Sequence, residues 1–468
     1  GLLCRREPRR RREFPVQESS DPALPAREGW GELFRTVGSE RGAERRGSMP
    51  PPPFVTLFFM KKLSPFSSLS IREYRLFLAG FFVSQMGSQM QAIAISWQMY
   101  EMTRSAVMLG LIGVVSFLPI LLLSSVGGIA ADTVNRKKLL VATQVFLALV
   151  ALTLALTTAS SAVSPALLFA LVACNFAAMA FFGPVRQSII PDLIPKTHLL
   201  NAVSLNTLAR QAAVIVGPAI AGFLIALYGV QSIYFFNSVA LVAMILTIIP
   251  LNIRPHHAEA RASFSVHSFV EGVRFVKNSK IIFSTTLLDF FATFFGSATS
   301  LLPIFALDIL AVDARGLGIL YAATSAGAIL AGLALSGLKH IEHQGRIILV
   351  AVSVYGIATI GFGLSRSFYL SLALLALAGA GDMVSVILRN TIRHTLTPGR
   401  LRGRMVGINL LFAAGGPKLG DAEAGLLAAA TSAPFSVVAG GIGTLVATLL
   451  VARALPTLRH YKGEEIVV

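Results

Sequence analysis

Twelve apolar runs, each of twenty residues or more, set the first limit on what this chain can fold into. The first six fall at 76–100, 105–131, 138–160, 163–188, 199–227 and 231–251, and the second six at 281–307, 316–338, 346–365, 368–392, 403–430 and 433–455. A helix of about 20 apolar residues crosses the hydrocarbon of a bilayer. Charged residues make up only 13% of the chain, about half the share in soluble domains. The sequence therefore predicts an all-α membrane protein with twelve transmembrane helices and excludes a soluble enzyme.

The two sets of six runs repeat along the chain. An offset of 203 residues aligns Arg186 with Arg389, Pro195 with Pro398, Asn206 with Asn409, Gly217 with Gly420 and Gly222 with Gly425. Parallel repeats of this kind build transporters in which the substrate site lies between the halves, near the midplane. We therefore expect two six-helix bundles, residues 60–254 and 277–468, joined by a cytoplasmic linker over 255–276.

The head of the chain, residues 1–59, has a different composition from the rest. It holds eleven Arg, no Lys, eight acidic residues and eight Pro, and has little to bury. We interpret it as disordered and expect the functional chain to begin at Met60. An Arg-rich arm for nucleic acid or anionic lipid is the alternative, which the interspersed acids disfavour. We expect no nucleic-acid partner.

Basic residues in the short loops predict the orientation in the membrane. Every second loop is basic: the residues are Arg136, Lys137, Lys138, Lys196, Lys339, Arg346, Arg393, Arg400, Arg402 and Arg404. The opposite loops hold only Arg104, Arg315 and Arg366. Because basic loops stay in the cytoplasm, we expect both termini to be cytoplasmic.

The loop after the second run carries a spaced motif of Gly128, Asp132, Arg136 and Lys137. It resembles the signature loop of the major facilitator superfamily. Thr133 stands where a basic residue is usual, and Asn135 where Gly is usual, although Asn tolerates a left-handed backbone. The resemblance implies that the loop braces the cytoplasmic helix ends and biases the two access states. A solvated positive-inside loop is the alternative, and the second half lacks the Asp of the motif.

In the fifth run, Gly217, Pro218 and Gly222 are similar to a Gly-Pro motif of the superfamily's antiporters and exporters, with Ala213 and Ala221 replacing Gly. Small residues at this spacing let helices approach closely, so packing alone would need the same residues. Over residues 66–455 the pattern most resembles bacterial exporters of the enterobactin and macrolide efflux type. The resemblance implies a multi-pass protein of the bacterial inner membrane.

Ionisable side chains within a span are costly and indicate function by default. Asp289 and Asp382 are the candidates for proton coupling, because a buried carboxylate can take up a proton from one side and release it to the other. The candidates for lining the cavity or binding substrate are Gln85, Ser88, Gln89, Arg210, Thr293, Ser297 and Arg389. Structural pairing and interhelical hydrogen bonding are the alternatives, as they are for Lys418 and Asp421 in the eleventh run.

These features predict a secondary active transporter that exports an amphipathic small molecule, drug-like or siderophore-like, in exchange for protons by alternating access. A nutrient importer or facilitator of the same fold and a non-transporting membrane sensor are the alternatives. The sequence has no catalytic set, metal-binding cluster or phosphate-binding loop. We therefore expect no enzyme activity and no cofactor, and we expect a monomer whose partners are the bilayer, protons and a small-molecule substrate.

Overall fold

Nearly all of the described chain is α-helical. The computed structural model describes residues 67–251, 266–296, 298–338, 341–398 and 402–463. The predictions for the head at 1–59 and for a start at Met60 fall outside these residues, as does the first part of the linker. The proposed boundaries at 254 and 277 remain predictions.

The helices follow the twelve apolar runs. The first six are α1 (Arg72–Thr103), α2 (Ala106–Thr133), α3 (Arg136–Ala159), α4 (Pro165–Leu193), α5 (Leu199–Tyr228) and α6 (Gln231–Ile248). After α7 (Val266–Asn278), the rest are α8 (Lys280–Phe295), α9 (Leu302–Ile304), α10 (Ala314–Ser336), α11 (Gln344–Leu364), α12 (Phe368–Leu396), α13 (Arg402–Ala430), α14 (Ala433–Ala454) and α15 (Pro456–His460). Ten segments in this part of the chain are long and apolar enough to cross a membrane, and the more polar α1 and α13 complete the twelve. The predicted fold class is confirmed.

Two parts of the second half differ from expectation. The linker contains the amphipathic helix α7, whose apolar Val276 packs with Ile282 and Met405. Arg393 was assigned to a cytoplasmic loop, which is wrong, because α12 continues through it to Leu396 and buries its side chain. The physical reason is a carboxylate on α8 that pairs with Arg393 inside the protein.

The seventh span is interrupted. Helix α8 ends at Phe295, and a 3₁₀ turn over Ala298–Leu301 leads through α9 to a π-helical turn at Phe305–Ile309. The Tyr355 hydroxyl of α11 donates to the carbonyl oxygen of Gly296, which α8 leaves without a helical partner. Broken helices of this type commonly line binding sites in transporters.

Packing is shared between the halves at one end of the molecule and separate at the other. One large apolar core includes Trp97 and Ile225 from the first half together with Phe305 and Leu317 from the second. The opposite ends have separate cores, which contain Phe77 and Ile189 in the first half and Ile348 and Leu458 in the second. The halves therefore meet mainly at the end that carries the connection between α1 and α2.

Candidate transport pathway

Two helix crossings join the halves, and both depend on glycine. At the crossing of α2 and α13, a Cβ atom on Gly425 would lie 2.7 Å from the Cα of Gly110. At the crossing of α5 and α10, a Cβ on Gly318 would lie 2.9 Å from the Cα of Gly222 and 2.7 Å from the carbonyl oxygen of Pro218. No side chain fits at either point, so backbone meets backbone across the two halves.

Gly217, the remaining member of the Gly-Pro motif, packs within the first half. A Cβ there would lie 3.0 Å from the Cβ of Gln89 and 3.1 Å from the carbonyl oxygen of Met86 on α1. The motif therefore has two contact directions, toward α1 at Gly217 and toward α10 at Gly222. Packing accounts for both.

A polar cluster closes the end where the halves meet. The Tyr100 hydroxyl donates to the Asp308 carboxylate, and Arg104 Nη1 lies 3.3 Å from Asp308 Oδ1. The Arg104 guanidinium also lies 5.6 Å from the centre of the Tyr100 ring. Tyr100 and Arg104 belong to the first half and Asp308 to the second. We call these three residues the gate cluster.

A cavity of about 190 Å³ lies between the halves. Its lining includes Ser96, Ser116, Phe176, Thr299, Tyr321, Lys418 and Asp421. Lys418 Nζ lies 3.4 Å from Asp421 Oδ2 and 5.8 Å from the centre of the Phe176 ring. The Lys418–Asp421 pair thus reaches the cavity wall and contacts the opposite half.

A second cavity of about 260 Å³ lies inside the second half. Its lining includes Thr293, Thr299, Thr324, Tyr355, Thr359, Asp382 and Pro417. Thr299, in the break of the seventh span, lines both cavities. The Thr324 hydroxyl is buried and has no hydrogen-bond partner among the described residues. This cavity is therefore polar on one side.

Four charged side chains form a cluster beside the second cavity, which we call the charge cluster: Asp289, Asp382, Arg389 and Arg393. Asp289 Oδ1 lies 3.0 Å from Arg389 Nη2, and Asp289 Oδ2 lies 3.0 Å from Arg393 Nη2. Arg389 Nη2 also lies 3.7 Å from Asp382 Oδ1. The Arg389 side chain is 1% exposed, whereas that of Asp382 is 46% exposed. Asp289 is thus enclosed by two cations, and Asp382 opens onto the cavity.

The two arginines of the charge cluster differ in how fully they are bonded. Arg393 also donates to the carbonyl oxygen of Thr285 at 3.1 Å and to the side-chain oxygen of Asn409. In the described part of the chain, the buried Nε, Nη1 and Nη2 of Arg389 have no hydrogen-bond partner, whereas in Arg393 only the buried Nε lacks one. Ser385, one turn before Arg389, also has a buried, unpartnered hydroxyl. Unpartnered buried donors are costly, and a new partner for them would be favourable. Arg389 is therefore the member of the charge cluster best able to change partners.

The first half carries two arginines in its spans. Arg186 Nη1 donates to Asn206 Oδ1 at 2.8 Å, and its guanidinium lies 4.7 Å from the centre of the Phe81 ring. Arg210, one turn after Asn206 on α5, is exposed and close enough to Arg186 for the two charges to repel. Neither forms an ion pair with a carboxylate of the described residues.

The polar residues of α1 divide into two groups. Gln91 and Gln98 are buried and bond to α6: Asn237 donates to Gln91 at 2.7 Å, and Tyr234 donates to Gln98 at 2.7 Å. The predicted cavity residues Gln85, Ser88 and Gln89 are partly exposed, and the Ser88 hydroxyl donates to its own helix. Ser297, another predicted cavity residue, lies outside the described residues.

The signature loop ties three helices of the first half together. Arg136 Nη1 lies 2.8 Å from Asp192 Oδ2 near the end of α4. Lys137 Nζ donates to the carbonyl oxygens of Ile249 and Leu251, which follow α6, at 2.6 and 2.8 Å. Asp132 is the next-to-last residue of α2, and its side chain lies outside the described part. A Cβ on Gly128 would have open space.

Asn135, which stands where Gly is usual in the motif, does not adopt a left-handed backbone. Its φ is −58°, and its side chain caps α3 by accepting a hydrogen bond from the backbone N–H of Lys138 at 3.1 Å. This conformation has a simple reason, since Asn is a preferred N-cap residue. The turn therefore needs no glycine.

Sequence reasoning missed Arg393, Asp192 and the gate cluster. Arg393 lies four residues after Arg389, so both side chains are on the same face of α12. Because Asp289 needs counterions within the span, this spacing was a usable signal for Arg393. Asp192 is likewise four residues after Ser188, whose carbonyl oxygen Arg136 also reaches at 3.4 Å. For Asp308 no sequence pattern indicates a partner 208 residues away.

The chain is similar to proteins of known function. A family model described as a transmembrane secretion effector matches residues 63–465. Similar proteins include the enterobactin exporter EntS of Escherichia coli (strain K12), 26% identical over 409 residues that cover 86% of this chain and 97% of the relative. EntS of Shigella dysenteriae serotype 1 (strain Sd197) gives the same identity and coverage.

Solved structures share the fold. One is a bacterial homologue of the human lysosomal transporter Spinster, inward-facing and occupied, with a TM-score of 0.65 and 15% identity, covering 85% of this chain and 99% of that one. Another is a bacterial homologue of the iron transporter ferroportin in an inward-facing state, with a TM-score of 0.64 and 15% identity, covering 82% and 98%. Likeness at this identity concerns the fold alone.

Proposed function

Because the chain belongs to the transmembrane secretion effector family of the major facilitator superfamily, we propose that it exports an amphipathic small molecule from the cytoplasm in exchange for protons. The expected superfamily membership is confirmed, and the chain is a multi-pass membrane transporter related to an enterobactin exporter. Export as the direction is supported by the name of that relative. The bacterial inner membrane, cytoplasmic termini and a monomeric state belong to the proposal.

The conformation is proposed to be inward-facing. With basic loops in the cytoplasm, the gate cluster and both glycine crossings lie toward the outer side. The signature loop lies at the opposite end, where each half has its own core. In this state a cytoplasmic substrate has access to the space between the halves, and release to the outside requires the gate cluster to part.

The charge cluster is the observation that carries the proton coupling. Asp289 has a guanidinium group against each oxygen, so its carboxylate is the common partner of both cations. Asp382 has one cation at 3.7 Å, which it shares with Asp289, and it faces the second cavity. Asp382 is therefore the carboxylate proposed to take up the proton, and Asp289 the one proposed to hold the cations in place.

Protonation of Asp382 would free Arg389 to bond Asp289 alone. The equilibrium between two access states shifts with any change that favours one of them, and α12 carries both Asp382 and Arg389 against α8. The first half lacks this device, because Met86 and Met179 stand 203 residues before Asp289 and Asp382. Coupling is thus proposed to reside in the second half only.

Everted vesicles energised with a proton gradient, and screened with siderophores, macrolides and dyes, test the proposal. Wild-type protein is expected to accumulate a substrate when the gradient is imposed. Asp382→Asn should lose gradient-driven accumulation and keep exchange of labelled for unlabelled substrate. Asp313→Asn is the matched control, since Asp313 is exposed and caps α10, a role that Asn also fills.

The outcomes separate the alternatives. Accumulation in the opposite vesicle orientation would indicate an importer, and no flux of any compound with intact, folded protein would favour a sensor. Gradient-driven accumulation by Asp382→Asn would remove Asp382 from the mechanism. A catalytic function has no support from the relatives, which are transporters.

A further inference from the structure

Arg186 and Arg210 carry positive charge that no described carboxylate balances. By contrast, the charge cluster has two acids and two arginines, and Lys418 pairs with Asp421. Arg186 lies seven residues before the end of α4, and Arg210 eleven residues after the start of α5. At 1.5 Å per residue these positions are about 10 and 16 Å from the helix ends. Both cations therefore lie within the bilayer thickness, where unpaired charge is costly.

Arg210 faces the space between the halves. It precedes Val214 by one turn, and the Val214 carbonyl oxygen accepts a hydrogen bond from Ser325 of α10, in the other half, at 3.4 Å. Pro218 and Gly222, one and two turns further on, contact the same helix at Gly318. Arg210 lies one turn before these contacts, on the same face of α5, and is exposed.

Arg186 is held in place beside it. Its hydrogen bond to Asn206 uses Nη1, and the rings of Phe81 and Phe182 lie 4.7 and 6.0 Å from its guanidinium. In the second half, Arg389 aligns with Arg186 and Asn409 aligns with Asn206, but it is Arg393 that bonds Asn409. Carboxylates balance the charge of the arginines there. In the first half, no carboxylate of the described chain takes the place of these balancing anions.

We propose that Arg186 and Arg210 form a recognition site for an anionic group, namely a carboxylate, phenolate or phosphate, on an amphipathic molecule that enters from the cytoplasm. If the proposed export function holds, the transported substrate is an amphipathic anion. The ligand supplies the negative charge that the two repelling cations lack. Two guanidinium groups at the edge of an apolar pathway suit a planar, multi-oxygen anion, because each can donate two parallel hydrogen bonds.

Three probes with one fluorophore test the charge preference. The full chain in phosphatidylcholine nanodiscs is titrated with dansylglycine (anionic), dansylamide (neutral) and dansylcadaverine (cationic), and binding is followed by dansyl emission. Wild-type protein is expected to bind dansylglycine most tightly. Arg210→Gln should weaken dansylglycine about tenfold and leave dansylamide unchanged, while Arg210→Lys should retain most of the preference.

Arg346→Gln is the matched control. Arg346 is exposed at the start of α11 in the other half, so its loss removes the same charge away from the site. Arg210 is itself exposed, and its substitution leaves buried packing intact. Binding of dansylglycine no tighter than dansylamide, equal weakening of both probes by Arg210→Gln, or binding of no probe would each overturn the inference.

A lipid headgroup carries the same chemistry as an anionic substrate, and a second arm separates them. In nanodiscs that contain phosphatidylglycerol, a substrate site should still bind dansylglycine. If phosphatidylglycerol instead displaces dansylglycine from the wild-type protein, and the displacement depends on Arg210, the site binds lipid and the substrate assignment is overturned. These titrations use no proton gradient and an unchanged Asp382. Loss of charge preference therefore counts against this inference alone, and absent gradient-driven flux counts against the proposed function alone.

Discussion

Asp289→Asn is the substitution whose effect the structure predicts most sharply. The change keeps the shape of the side chain and removes the carboxylate that contacts Arg389 and Arg393 at 3.0 Å each. The Asp289 side chain is only 11% exposed, so water cannot replace it. Among the described residues, Asp382 is then the only carboxylate that contacts either of the two buried arginines.

The size of the effect follows from burial. Removing one partner of a buried ion pair costs about 3–5 kcal/mol, because the other charge stays buried without compensation. Asp382→Asn should cost about 1 kcal/mol or less, as for a partly exposed pair, since its contact with Arg389 is 3.7 Å and its side chain is half exposed. Two conservative changes in one cluster are thus expected to differ several-fold in their cost to stability.

Thermal unfolding of purified protein, followed by intrinsic fluorescence of the buried Trp97, measures the difference. The double variant Asp289→Asn/Arg393→Gln restores charge balance and leaves the Arg389–Asp382 pair. It should recover part of the lost stability, although the bonds of Arg393 to Thr285 and Asn409 are lost as well. Such non-additivity is the sign of a direct interaction.

The reasoning fails if the stability of Asp289→Asn lies within about 1 kcal/mol of wild type, or if the double variant is less stable than wild type by the sum of the losses of the two single variants. Either result would mean that water or movement of α12 compensates the two arginines. Asp289 would then remain a candidate for proton coupling, as the sequence predicts.

Three further predictions concern other parts of the chain. Asp192→Asn, which breaks the contact with Arg136 at 2.8 Å, should slow substrate flux several-fold without weakening equilibrium binding, because a loss of about 1 kcal/mol shifts a balanced two-state carrier by that factor. Gly318→Ala should lower flux by forcing α5 and α10 apart. Gly332→Ala on the same helix should not, because the nearest neighbour of the added Cβ would be 3.7 Å away. Initial transport rates compare the two variants. Deletion of residues 1–59 should leave membrane insertion and flux unchanged at equal expression, and loss of transport would assign the head a function.

The fold was predictable because its determinants are local. Each span needs a long apolar run, and every predicted run except the interrupted seventh coincides with a described helix to within a few residues. One discrepancy is at Arg393, where α12 runs four residues beyond its apolar stretch. Hydropathy ends a span at the first cation, but a helix continues when a carboxylate on a neighbouring helix pairs with that cation.

The candidate site was only partly predictable, because its contacts join residues far apart in sequence. The residue types were visible: Asp289, Asp382 and Arg389 all stand out against apolar neighbours. Their pairing was not, since the geometry depends on how α8 and α12 pack. The Tyr100–Asp308 contact of the gate cluster is the extreme case, because it forms only when the two halves meet.

The sequence repeat and the structure together separate what the halves share from what they do not. Arg186 aligns with Arg389, yet Arg186 bonds Asn206 whereas the aligned Asn409 is bonded by Arg393 instead. In the second half Arg393 makes the contact with the Asn side chain, which leaves Arg389 to face Asp289 and Asp382. In the first half no such release occurs, so Arg186 stays bonded, and its charge and that of Arg210 have no carboxylate among the described residues. An arginine–asparagine contact is thus common to both halves, but only in the second half do two carboxylates face the aligned arginine, Arg389.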